Sequence, residues 1–351
     1  MIGRRLALVA VLLTTLPLAA QSPPADATAA GARAKAYVPP RTPDGQPDLQ
    51  GFWTNSTYTP LQRPTNVTKE FYTPEEAAEI ERRAAERERE ETKPGTIADV
   101  HYDEAQFGLN RSQSTYARNL RTSLIVDPRD GRIPPMTAEA VTRAAEFDEA
   151  RKRLGGPFDS AQHMELDDRC IMMAGAAPPM LSPGYMSNYQ IVQAPGYVMI
   201  LVERLHDTRI IPLDGRAFPP SSVRQWLGAS RGRWDGNTLV VETRNFDNRR
   251  PGVGQGLVAG QPFRGASEDL RVIEWFTRVD ADTILYRFTV LDEKTWARPW
   301  TAELPMVKLK PQGPLFEHAC HEGNYGLANT LAGARVEEKK AVGDAPQKQS
   351  R

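Results

Sequence analysis

From Asn188 onward the chain alternates short apolar segments with tight-turn residues, and this rhythm limits the fold more than any other feature. "NYQIVQ" and "YVMILVER" are separated by Ala194-Pro195-Gly196, and "TRIIPL" ends at Asp214-Gly215. "SRGRW" and "TLVVETRNF" flank Asp235-Gly236-Asn237, a strong hairpin signal because Asp-Gly tolerates the backbone angles of a tight turn. "DLRVIEWFTRV" and "TILYRFTVLD" flank Asp280-Ala281-Asp282, and "PWTAELPMVKL" closes the series. Eight strands joined mostly by short turns must be antiparallel. The pattern predicts a mainly β fold, either an eight-stranded antiparallel barrel or a strongly bent sheet, since closure removes exposed edges. Tyr286, Phe288 and Val290 alternate with Leu285, Arg287 and Thr289, so each strand has two unlike faces. The alternation does not say which face turns inward.

The first half of the chain is of a different kind. Arg4 and Arg5 precede an apolar run from Leu6 to Leu13 and small residues up to Ala20, the pattern of an export signal over residues 1–20. Residues 21–41 are rich in Ala, Pro, Ser and Gly and read as a disordered linker. Residues 42–160 read as a segment that wraps the barrel and carries two helices. The first starts at Thr73-Pro74-Glu75-Glu76, a cap followed by Pro and Glu, and stops before Pro94-Gly95. The second is capped by Thr137 and runs to about Leu154. Residues 161–336 are expected to form the β domain, and residues 337–351 a charged, disordered tail.

Lys and Arg number 44 and so do Asp and Glu, so there is no basic surplus and no nucleic-acid partner is expected. Past the leader no apolar run reaches membrane length, so the mature chain is expected to carry no transmembrane span. The expected location is the periplasm or the secreted fraction. In such an oxidising compartment the only two cysteines, Cys170 and Cys320, are expected to pair.

The motifs "RTPDGQPDLQGFWTN", "SLIVDPRDGRIPPMT", "DRC", "RIIPLDGR", "GRWDGNTLVVET" and "ACHEGNYGL" together resemble a family of exported bacterial proteins. The resemblance covers about residues 41–335. It implies export and a β-rich body, and it assigns no catalytic role. Where that family's last motif would carry a tyrosine, this chain has His318. The Gly232-Arg233-Trp234 triplet is similar to the G-x-W of lipocalins, which admits a calycin-like barrel, although here it falls in mid-sheet.

Candidate chemistry gathers in two places. In "FEHACHEGNYG" the His321–Glu322 pair offers acid–base chemistry, and a Cys170–Cys320 bridge would bring Asp168 and Arg169 beside it. The other reading of this stretch is a structural anchor with polar neighbours. His318 and His321, three residues apart, are weak metal candidates, and no cofactor is expected. In "VERLHDTRIIPLDGR", Glu203, His206 and Arg209 lie at a strand junction and could meet an anionic or hydroxylated ligand. The "GVGQG" loop at residues 252–256 lacks the strand–loop–helix setting of a phosphate cradle. The leading expectation is a small apolar or mixed-polarity ligand held in the barrel, with Trp275, Tyr286 and Trp300 as walls. The alternatives are an envelope enzyme using His206 or His321 with Asp168 or Glu322, and a structural or partner-binding protein with a filled barrel.

Overall fold

All eight expected strands form, and a ninth, supplied by the N-terminal segment, joins them in the middle. The computed structural model describes residues 37–89, 116–153, 155–156, 158–164, 166–173, 175, 178–182, 186–247, 263, 265–310 and 312–343. The leader, the linker up to residue 36, the "GVGQG" loop and residues 344–351 lie outside the described residues.

The strands are β1 (Gly51–Thr54), β2 (Ile125–Asp127), β3 (Asn188–Ala194), β4 (Tyr197–Val202), β5 (Thr208–Pro212), β6 (Ala229–Asp235), β7 (Thr238–Arg244), β8 (Arg271–Arg278), β9 (Thr283–Leu291) and β10 (Trp300–Lys308). They form one sheet in the order β5-β4-β3-β1-β10-β9-β8-β7-β6, with β2 added on β10. Every neighbouring pair in that path is antiparallel. The sheet is nearly closed into a barrel, and the unclosed seam lies between β5 and β6. At one end of the seam the edges touch through side chains. A Cβ at Gly232 would lie 2.7 Å from Leu213 Cδ2 and 2.8 Å from Ile211 Cγ2, so only glycine permits this approach.

β1 holds the two halves of the barrel together. Trp53 stands opposite Tyr189 of β3 on one side and Lys308 of β10 on the other. Its ring is fully buried, and its Nε1 donates to the Leu49 carbonyl at 3.0 Å. Arg278 and Lys308 lie over the ring at 5.7 and 5.6 Å from its centre. "GFWT" is too short to show an alternation, so the sequence reads as a turn-rich wrapping segment where the structure has its central strand.

Burial settles which face is inward. Along β8, Val272, Glu274, Phe276 and Arg278 are buried, and Arg271, Ile273, Trp275 and Thr277 are half-buried on the other face. On β9, Ile284, Tyr286, Phe288 and Val290 point in. The interior is filled with rings: Phe276 packs on Tyr286 at 4.9 Å, Tyr286 on Phe288 at 5.7 Å and Phe288 on Trp300 at 5.8 Å.

Three helices are described: α1 (Pro74–Arg89), α2 (Ala138–Arg153) and α3 (Tyr325–Gly343). α1 opens with a reciprocal cap, in which Glu76 N–H donates to Thr73 Oγ1 and Thr73 N–H to the Glu76 carboxylate. α3 departs from expectation. Residues 337–343, read as part of a disordered tail, continue the helix, and pairs such as Lys340–Glu337 and Arg335–Glu338 at i,i+3 spacing support its charged end.

Candidate functional site

β4 passes to β5 through Glu203–Asp207, a return so tight that Leu205 and His206 take left-handed angles, with φ of 56° and 44°. Such angles cost a non-glycine residue about 1–3 kcal/mol and persist only where the surroundings enforce them. Here several hydrogen bonds do so. Glu203 N–H donates to Asn188 O at 3.0 Å, and Val202 N–H to Asp207 O at 2.8 Å. The buried Glu203 carboxylate accepts from Asn188 Nδ2 at 2.8 Å. Burial pushes the Glu203 carboxyl up, against the pull of Asn188.

The loop is also held from the C-terminal side. Leu205 N–H donates to His318 Nδ1 at 3.0 Å. That bond requires an unprotonated Nδ1, and burial, followed by Arg204 and His206, moves the His318 imidazole below its ordinary value. His318 is brought there by the Cys170–Cys320 disulfide, whose Cα atoms are 5.8 Å apart. Asn324 Nδ2 adds a hydrogen bond to Asp168 O at 3.2 Å. The "FEHACHEGNYG" stretch is therefore an anchor that clasps the β4–β5 loop.

A cleft of about 490 Å³ lies next to this loop, in the seam between β5 and β6. Asp207, Arg209 and Ile210 line one side, Ser230 and Arg231 the other, and Ile171, beside the disulfide, also contributes. Two buried polar atoms of lining residues have no hydrogen-bond partner among the described residues: Asp207 Oδ2 and Arg209 Nε. Burial pushes the Asp207 carboxyl up to about 6, with His206 pulling the other way. Arg209 is otherwise fully engaged. Its Nη1 and Nη2 donate to the two oxygens of Glu274 at 3.1 and 2.5 Å, and Tyr286 Oη donates to Glu274 Oε1 at 2.7 Å. Burial opposes the Arg209 charge, but Glu274 outweighs it and holds the guanidinium above its ordinary value. Burial and the Glu274 charge push the Tyr286 phenol well up, so it stays a donor.

The structure thus gathers Glu203, His206, Arg209 and His318 around one loop. His206 is exposed, and Tyr286 and Trp300 are sealed in the interior. Trp275 does not join them. It lies on the outer face of β8, across from Val240 and Arg287. Asp168 and Arg169 flank the disulfide, while His321 and Glu322 are exposed and their described hydrogen bonds are all made by backbone atoms. Among the described residues no group of three His, Cys, Asp or Glu side chains is arranged to hold a metal, His318 and His321 included. Sequence reasoning missed Glu274 and Ser230. Glu274 had a signal, as a single charge between Val272 and Phe276 on the inward face of β8. Ser230 had one too, as the serine of the G-x-S-x-G run Gly228-Ala229-Ser230-Arg231-Gly232, which lies at the start of strand β6 and not at a strand-to-helix turn.

No match was found to any family model, to any curated protein or to any solved structure. No described helix is long and apolar enough to cross a membrane.

Proposed function

We propose that this is an exported ligand-binding protein whose site is the seam cleft, in the wall of the barrel rather than in its interior. The observation that carries the reading is the pair of unpartnered buried atoms, Asp207 Oδ2 and Arg209 Nε, on residues lining a cleft of about 490 Å³. Leaving a buried polar atom unpaired costs about 1–3 kcal/mol, and a ligand that pairs it recovers that cost. The volume is of ligand-site size, and Ile171, Trp226 and Leu227 give it apolar walls. The ring-filled interior leaves the wall as the better site. Export is supported by the leader-like N-terminus, by the disulfide and by the family resemblance. The acid–base alternative has less behind it, since Glu203 is engaged by Asn188 and the His321–Glu322 pair is exposed.

A thermal-shift screen on the oxidised protein tests this. Small amphipathic acids, alcohols and amides should include compounds that raise Tm. Thr208→Trp, introduced at an exposed cleft position, should abolish those shifts. A screen without hits, or hits indifferent to Thr208→Trp, would overturn the reading.

A further inference from the structure

The turn that begins one wall of the cleft is held from outside by a group that changes charge near neutral pH. Asp207, Thr208 and Arg209 line the cleft, and they follow directly on Leu205 and His206, the two residues with left-handed angles. Such angles are kept by their surroundings and relax when the hold is lost. His206 N–H is satisfied inside the turn, by Glu203 O at 3.2 Å, and Asp207 O takes Val202 N–H of β4 at 2.8 Å. Leu205 N–H goes instead to His318 Nδ1, 113 residues away along the chain.

An amide N–H can only donate, so His318 Nδ1 must offer its lone pair and carry no hydrogen. An imidazolium has hydrogens on both nitrogens. Protonation therefore sets N–H against N–H, and the bond is lost with no tautomer to restore it. Burial is the largest influence against that proton, followed by Arg204, which is itself buried, and by His206. Both of these groups belong to the turn. In the segment that carries His318, Glu317, His321 and Glu322 are exposed. The bonded imidazole thus holds a proton less tightly than a free one. The bond persists at neutral pH and weakens as pH falls below the ordinary 6.5.

We propose that His318 is an acid-released latch on the seam cleft. Unprotonated, it holds residues 203–207 in their strained turn and so fixes the wall from Asp207 to Arg209. Protonated, it frees that wall. The proposal rests on the seam-cleft reading and adds its regulation: the cleft is set at neutral pH and loosens in acid. The disulfide keeps the latch within reach without titrating, since Cys320 N–H donates to His318 O at 2.9 Å. Glu203 and Asp207 also titrate in this turn, and burial raises both. Their contributions to stability grow in acid, opposite in sign to that of His318. Global stability sums these opposed effects, so the latch has to be read locally.

The oxidised full chain, followed from about pH 7.5 to about pH 5, tests this across the range of an imidazole. Protection of the Leu205 amide, corrected for the intrinsic pH dependence of exchange, should fall about tenfold, the loss of one hydrogen bond. Its midpoint should match that of the His318 imidazole resonances, and amides in β8 should not change. His318→Asn places an amide oxygen where Nδ1 lies and cannot titrate, so it should keep the Leu205 amide protected throughout. A water-soluble carbodiimide with a small amine reads the cleft wall, through mass spectrometry of labelled Asp207. In acid the unaltered protein should be labelled several times faster than His318→Asn, and comparison at a single pH removes the titration of the carboxyl itself. Equal labelling, or Leu205 protection that falls in His318→Asn as well, overturns the latch. If that variant folds poorly, the unaltered protein decides, and midpoints that differ between Leu205 and His318 overturn it. Thermal-shift hits with no His318-dependent change sink the latch and leave the cleft as a binding site. A His318-dependent change without hits supports the latch and overturns the ligand reading.

Discussion

Arg209 and Glu274 meet end-on inside the barrel wall, with side chains 2% and 0% exposed, and Tyr286 donates to the same carboxylate. Removing one partner strands a buried charge, whereas replacing both with apolar residues removes the desolvation cost as well. Glu274→Gln should cost about 3 kcal/mol, and Arg209→Met with Glu274→Leu should come within about 1 kcal/mol of the original. Urea denaturation measures both. Equal losses in the single and double variants would show that the pair does not act as a unit.

Tyr286 Oη also accepts the Met180 N–H at 2.9 Å. Tyr286→Phe leaves that N–H without its acceptor and should cost about 1–3 kcal/mol. The same denaturation series reads it, with faster exchange at the Met180 amide as the local signature.

Gly232 is where the two sheet ends touch. Gly232→Val places methyl groups where Ile211 and Leu213 already are and should cost about 2 kcal/mol as overpacking. Amide exchange in β5 should speed up more than in β8. Uniform loosening of the sheet would contradict a local wedge.

Asp207 gives the protein a pH dependence of definite sign. Its folded value, about 6, lies above the ordinary 3.8. The folded state therefore binds the proton more tightly, and the associated stability is full below pH 4 and is lost as pH rises through 6. Because the group is part-exposed, the effect is discounted for solvent to about 1 kcal/mol. Asp207→Asn should flatten the fall in Tm between about pH 4 and pH 6. An unchanged profile would assign the dependence to other groups.

The disulfide closes a loop with a sequence separation of 150 residues. Chain entropy alone makes such a bridge worth about 5 kcal/mol. Reduction, or Cys320→Ser, should lower stability by an amount of that order. It should also release the His318–Leu205 bond, visible as faster exchange at the Leu205 amide. A Tm indifferent to reductant would mean that the anchor holds without its bridge.

Hairpins such as β6–β7 and β8–β9 were legible because their signals are local: alternating faces on either side of Asp235-Gly236-Asn237 and Asp280-Ala281-Asp282. The Cys170–Cys320 pairing was legible by arithmetic, from two cysteines in a chain with an export-like start. β1 was not legible. Its four residues sit among Pro, Gly and Asp, and what makes them a strand is pairing with Asn188–Ile191 and Val307–Lys308, far along the chain. The site was half legible. The cluster of Glu203, His206 and Arg209 drew attention to the loop beside the cleft, but the cleft exists only because β5 and β6 arrive side by side. Trp275 was taken for a wall because composition cannot tell an inward aromatic from an outward one. The end of α3 was taken for a tail because charged residues with no apolar face look solvated, and here they are both solvated and helical.

The position of β1 sets the order in which the barrel can be built. Residues 51–54 leave the ribosome early, and their second ladder is supplied only by Val307 and Lys308. Contacts this distant in sequence form late, because the loop must close before they contribute. Until β10 emerges, the nascent chain holds two unjoined sheet fragments, β5-β4-β3-β1 and β9-β8-β7-β6. Closure of the barrel path therefore waits for the last strand to be made.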